Sequence, residues 1–244
     1  MIGNLHYISQ ETSDKSHIDN IREACRAGID WVQLRIKDKP LDEIEEIAFE
    51  AKAICKKFGA RFIINDYVEI AKAVKANGVH LGQSDMDPIK ARAILGSRPY
   101  IGATANTLED VIRLHNARVD YIGLGPYRHT NTKENLSPVL GIKGYGSILN
   151  SMIISEIDTP IIAIGGITLE DIFDLQMTGC YGIAVASLIN DAPDKQYIVD
   201  EIKSLLPNAN FNEKEDYGDE NEFEDEFNDE EGYDYGFEDS EQDF

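Results

Sequence analysis

Gln33, Arg35 and Lys37 stand two residues apart at the end of an apolar run, Trp31–Ile36. In an extended strand successive side chains alternate faces, so this spacing puts an amide and two cations on one side. Cations gathered on an inward face require anions, because an unpaired buried charge is costly. Neighbouring carboxylates would supply them as salt bridges. A bound phosphate or diphosphate would do so equally well, since a guanidinium grips it through paired hydrogen bonds. The next run, Arg61–Asn65, leads into Asp66, and Val79–Gly82 leads into Gln83-Ser84-Asp85. Two carboxylates beside an amide and a diphosphate suit Mg²⁺, a hard ion that takes one or two carboxylates together with phosphate oxygens. The competing role for each Asp is to cap a following helix. Asp87, immediately before Pro88, is the better cap of its neighbourhood, which leaves Asp85 as the expected ligand. Thr104 ends a further run with a hydroxyl that either donates to a ligand or shapes a turn, and the segment Gly123–Lys133 is rich in donors and adds positive charge. Gly165-Gly166 and Ala186-Ser187 close the last two runs, at places where backbone N–H groups could approach a phosphate. His80 reads as a satisfied core residue and His129 as a loop contact, and no Ser-His-Asp or Cys-His arrangement suggests itself.

These groups need a scaffold that delivers strand ends to one place. Eight short runs fit: Leu5–Ser9, Trp31–Ile36, Arg61–Asn65, Val79–Gly82, Tyr100–Thr104, Tyr121–Gly125, Ile161–Ile164 and Gly182–Ala186. Several are continuously apolar, as strands buried on both faces of a parallel sheet must be. Helical patterns lie between them. Leu41–Phe58 sets Ile44, Ile47, Ala48, Ala51 and Ile54 on one face, and Lys195–Leu206 reads as the last helix. Thr107-Leu-Glu-Asp110 and Thr168-Leu-Glu-Asp171 have the form of helix starts, a hydroxyl cap followed three residues later by an acid. Eight βα units with short connections predict an α/β fold, a (β/α)₈ TIM barrel, whose active site lies at the C-terminal ends of the strands. An open doubly wound sheet is the alternative, but the G-x-G-x-x-G turn usual after its first strand is absent.

Of the formal net charge of −22, residues 208–244 hold −16, from 17 acids and the single base Lys214, so residues 1–207 carry only −6. That balance argues against general nucleic-acid or anionic-membrane binding. From 208 onward there is no Leu, Ile or Val; besides Lys214 and Ala209 the segment consists of acids, glycines, other polar residues and eight aromatics. Such a segment cannot bury enough apolar area to offset ordering entropy, so a disordered acidic tail with an unassigned partner is expected after a barrel of residues 1–207. The three cysteines, Cys25, Cys55 and Cys180, are dispersed and odd in number, which fits a reducing cytoplasm rather than a disulfide framework. No secretory signal is visible, and the longest apolar stretch, Pro160–Ile167, is far short of the ~20 residues that span a bilayer.

The strand ends resemble those of the thiamine phosphate synthase family. The likeness rests on Gln33-Leu-Arg35-Ile-Lys37, Ile64-Asn65-Asp66, Gly78 through Asp85, Tyr121 through Pro126 with Thr130-Asn-Thr132-Lys133, and Ala163 through Ile167, all in order along the chain. The resemblance implies a (β/α)₈ barrel transferase. It would join hydroxymethylpyrimidine diphosphate to a thiazole phosphate, giving thiamine phosphate and diphosphate by a dissociative path that needs no protein nucleophile. It further implies that Gln33, Arg35, Lys37, Asn65, Thr104 and Lys133 hold the pyrimidine diphosphate, with Arg35, Lys37 and Lys133 acting on the leaving group. Asp66 and Asp85 would bind Mg²⁺, and Thr130, Thr132, Gly166, Ala186 and Ser187 would hold the thiazole phosphate. Thr104 stands where the family usually has Ser, and Ala186 where a larger aliphatic is common. The tail lies outside the family pattern. A thiazole tautomerase or a non-catalytic thiamine-precursor binder on the same barrel is the alternative; retention of Arg35, Lys37, Asn65, Asp66 and Asp85 favours the synthase.

Overall fold

The computed structural model describes residues 1–129 and 138–206. Eight strands alternate with helices: β1 (Leu5–Ile8), α1 (His17–Arg26), β2 (Trp31–Leu34), α2 (Leu41–Lys57), β3 (Arg61–Asn65), α3 (Val68–Ala73), β4 (Gly78–Leu81) and α4 (Pro88–Leu95). The second half continues with β5 (Tyr100–Ala105), α5 (Leu108–Asn116), β6 (Tyr121–Leu124), α6 (Gly141–Ile154), β7 (Ile161–Ile164), α7 (Asp171–Met177), β8 (Gly182–Val185), α8 (Ser187–Asn190) and α9 (Lys195–Leu205). The strands pair in sequence order, and β1 pairs β8 in parallel, so the sheet closes into a barrel. The TIM-barrel expectation therefore holds. The acidic tail and the boundary expected at residue 207 lie outside the described residues.

Alternation along the strands builds two apolar layers. Val32, Leu34, Phe62 and Ile64 point outward into the main core against the helices. Trp31, Ile63, Tyr121, Ile162 and Ala184 point inward and fill the barrel. There His6 stacks on Trp31 with ring centroids 4.5 Å apart, and Tyr121 meets both edge-on. Gly102 on β5 faces that cluster because nothing larger fits: an added Cβ would fall within the Tyr121 ring. Tyr121 is buried and wedged against His6, Trp31 and His80, so it has no free direction in which to move. Gly102→Ala is expected to cost ~3 kcal/mol or more of folding stability by overpacking, read as a lower urea midpoint. An unchanged midpoint would show that the ring has room to retreat.

Two local expectations are corrected. β2 ends at Leu34, so Arg35 and Lys37 lie on the loop above the strand rather than inside the barrel. The second helix-start motif also fails as a cap. α7 begins at Asp171, and Thr168 donates both its N–H and its hydroxyl to that carboxylate at 2.8 Å, while its hydroxyl does not accept the Asp171 N–H as a cap would. By contrast, Thr107 accepts the Asp110 N–H as expected, and Asp87 caps α4 ahead of Pro88. The short helix α8 was not foreseen; Asn190 at its end accepts the Tyr7 hydroxyl of β1 at 2.7 Å. Among the described residues no helix is long and apolar enough to cross a membrane.

Candidate active site

The C-terminal mouth of the barrel holds a cavity of about 310 Å³. Its wall contains Gln33, Arg35, Lys37, Asn65, Asp66, Asp85 and Thr104, which sequence reasoning drew from four separate segments. Parallel register accounts for the convergence: Gln33 lies across from Ile63 and Asn65 from His80, so the inward residues at strand ends form one ring.

Gln33 and Asn65 are nearly fully buried, and the Gln33 amide donates to Asn65 Oδ1 at 2.8 Å. Joined this way, the pair keeps a carbonyl acceptor on Gln33 and an NH₂ donor on Asn65 for a ligand. Arg35 is held through its backbone: its N–H donates to Ser9 Oγ at 3.1 Å, and Ser9 Oγ lies 2.8 Å from His17 Nδ1. Its guanidinium makes no hydrogen bond or ion pair among the described residues and borders the cavity. Lys37 differs, because its ammonium pairs with Asp66 Oδ2. For Lys37 the salt-bridge reading describes this structure.

Asp66 takes a left-handed backbone conformation, φ 68°, with its N–H donating to His80 O at 2.8 Å. A non-glycine residue rarely adopts that region, and Asp is one of the few that tolerate it. The conformation turns the carboxylate into the mouth, beside Asp85. Burial and then the neighbouring Asp85 carboxyl push Asp66 up to about 6, against the opposing pull of Lys37. Burial also opposes charge on Asp85. Its hydrogen bond with Asp66, the Gly82 N–H at 2.7 Å, and the nearby Lys37 and His80 outweigh burial and hold it below the usual carboxylate range. Two carboxylates brought together in this way need a proton or cation between them. An all-oxygen pair beside open space fits Mg²⁺, which draws its remaining ligands from water and phosphate. Among the described residues there is no cluster of three or more His, Cys, Asp or Glu that could hold a metal, so a more closed, zinc-like cage is not offered. Asp87 is spent on the α4 N-terminus, 2.9 Å from Ile89 N.

Thr104 Oγ1 lies 3.0 Å from His80 Nε2, and His80 Nδ1 lies 3.1 Å from the Tyr121 hydroxyl. His80 is thus a hydrogen-bonded barrel residue that also borders the cavity. The cavity is also lined by Ile8 and Ile164 at the ends of β1 and β7 and, deeper in the barrel, by His6, Tyr121, Ile162 and Ala184. Burial and nearby His80 push the His6 imidazole down to about 3, while its bond to Gly3 O opposes them, so it enters the floor as a neutral ring. This apolar floor was missed from sequence; the inward positions of each strand are the signal that marks it.

Gly166, Ala186 and Ser187 do not border this cavity. They stand at the ends of β7 and β8, with Gly165 and Gly166 both at positive φ (93° and 68°) and Ser187 opening α8. Arg128, the cation after β6, is committed to Asp171. Thr130, Thr132 and Lys133 lie outside the described residues.

Carboxylates and a guanidinium above an apolar floor, at the C-terminal mouth of a (β/α)₈ barrel, define an enzyme site suited to a phosphorylated substrate with a flat apolar portion. Residues 5–189 match the family model described as thiamine monophosphate synthase. The chain is 49% identical over 190 residues to a thiamine-phosphate synthase of Phocaeicola vulgatus, covering 78% of this chain and 91% of that protein. It is 45% identical over 206 residues to that of Flavobacterium johnsoniae, covering 84% and 97%. The solved thiamine phosphate pyrophosphorylase of Pyrococcus furiosus is similar with a TM-score of 0.72 at 30% identity, over 83% of this chain and 94% of that one. The chain belongs to the thiamine monophosphate synthase family.

Proposed function

We propose that the chain joins hydroxymethylpyrimidine diphosphate to a thiazole phosphate, releasing diphosphate and forming thiamine phosphate. The observation that carries this reading is the cavity itself: Gln33, Arg35, Asn65, Asp66 and Asp85 ring an apolar floor that a flat pyrimidine would cover. Gln33 and Asn65 present one acceptor and one donor to the pyrimidine substrate, and Thr104 adds a hydroxyl. Arg35, with Lys37 and Lys133, neutralises the diphosphate as the carbon–oxygen bond breaks and both electrons leave with oxygen. The thiazole nitrogen then supplies the pair for the new carbon–nitrogen bond, so no protein nucleophile is needed and the protein's part is placement and charge stabilisation. Asp66 and Asp85 would hold Mg²⁺, which when bound supplies positive charge to the departing diphosphate. Gly166, Ala186 and Ser187, at the ends of β7 and β8 where such loops commonly take phosphate, are assigned to the thiazole phosphate together with Thr130 and Thr132.

A tautomerase is not favoured, because Arg35 and the Asp66–Asp85 pair would have no diphosphate to meet, and a non-catalytic binder is not favoured by relatives that are thiamine-phosphate synthases. Turnover that requires both substrates together tests the reading. The three cysteines are free and buried, which supports a place in a reducing cytoplasm.

The acidic segment is assigned no catalytic part. Truncation after Pro207 is expected to leave a folded, active barrel, because α9 completes the last βα unit at Leu205. Melting temperature and KM for both substrates should match the full chain at moderate salt. Aggregation or a fall in KM for the diphosphate substrate would show that the segment acts on the barrel.

A further inference from the structure

Arg128 and Asp171 form a junction, between the loop after β6 and the start of α7, that the proposed chemistry leaves unused. The guanidinium grips Asp171 as a fork, Nη1 to Oδ2 at 2.7 Å and Nη2 to Oδ1 at 2.8 Å, and Nη1 also donates to Gly166 O at 2.9 Å. The backbones are joined as well: Arg128 N–H donates to Gly165 O at 2.9 Å, and Tyr127 N–H to Ile164 O at 2.8 Å. Asp171 is nearly buried and also receives the N–H and hydroxyl of Thr168. The Arg128 guanidinium lies over the Tyr127 ring, 5.4 Å from its centroid, which fixes its side chain further. Gly166 sits in the angle of this junction at positive φ, and an added Cβ would come 3.0 Å from His129 O and 3.1 Å from Arg128 Cβ.

A fork of this kind fixes orientation as well as charge, and only arginine offers it. Arg128 lies on the loop after β6 and Asp171 opens α7 where the loop after β7 ends, so their pairing sets one loop against the other. We infer that Arg128 and Asp171 are positioning residues that hold the Gly165–Gly166 loop in register for the acceptor phosphate, and so govern use of the thiazole substrate rather than of the pyrimidine diphosphate. This rests on the assignment of Gly166 to the thiazole phosphate. Arg128 contributes no charge to the ligand here, because Asp171 neutralises it.

The test is steady-state kinetics of the full chain carrying Arg128→Gln, Asp171→Asn, or both, with each substrate varied in turn and melting temperatures recorded alongside. Arg128→Gln is the safer variant, since that side chain is half-exposed while Asp171 is nearly buried. KM for the thiazole phosphate should rise about tenfold in either single variant, with KM for the pyrimidine diphosphate within about twofold of the unaltered chain. The double variant should be little worse than the singles, because both remove one junction. Equal rises in both KM values, no rise in either, or additive losses in the double variant would overturn the inference. Absence of turnover in the unaltered chain would overturn the function itself, and the inference with it.

Discussion

Asp85→Asn is expected to lower kcat/KM by ~10²-fold or more, about 2.7 kcal/mol of transition-state stabilisation, and to weaken the response to Mg²⁺. The substitution is close to isosteric. Its remaining carbonyl oxygen can still accept the Gly82 N–H that Asp85 now takes at 2.7 Å, so the turn after β4 should keep its shape. What is removed is the negative charge facing Asp66 and the cavity, and with it one of the two carboxylates fitted to a hard cation. Asp87→Asn is the control two residues away. Asp87 is exposed and holds Ile89 N and Lys90 N at the start of α4. Its replacement should cost at most ~1 kcal/mol of stability and leave turnover within about twofold. An inactive Asp87→Asn beside a normal Asp85→Asn would reverse the assignment.

Arg35→Ala carries the second large effect. Among the described residues the Arg35 side chain makes no hydrogen bond or ion pair that its removal would break, and the loop's hold on Ser9 runs through the backbone N–H, which alanine keeps. The loss should therefore fall on the ligand. Charge-assisted contacts to phosphate are worth ~1.5–3 kcal/mol each, which corresponds to roughly tenfold to 150-fold in kcat/KM. The pyrimidine diphosphate should suffer first, whereas Ser187→Ala should weaken the thiazole phosphate. Equal effects of both variants on both substrates would count against two separate anion sites.

The barrel was legible because its eight strands are short, apolar and rich in β-branched residues, and two of the expected spans, Arg61–Asn65 and Ile161–Ile164, match the structure to the residue. The mouth was legible for a related reason: once the strands are known, the residues that end them must converge. What local patterns could not reveal was set by closure. His6 and Trp31 stack from the paired strands β1 and β2, but Tyr121 on β6 meets them across the interior only because β1 pairs β8 and closes the ring. The Arg128–Asp171 junction spans 43 positions, and the same Asp171 was read as the acid of a local helix cap because its neighbours have the spacing of one. Lys37 was placed in a strand that stops at Leu34; freed from the pleat, it reaches Asp66 on the neighbouring loop.

The most direct measurement incubates the full chain with hydroxymethylpyrimidine diphosphate and thiazole phosphate in the presence of Mg²⁺ and follows both products. Thiamine phosphate and diphosphate should appear in equal amounts, only when both substrates are present, and the rate should collapse in Arg35→Ala. A folded chain that forms no thiamine phosphate, or that forms it equally well without Arg35, would contradict the account.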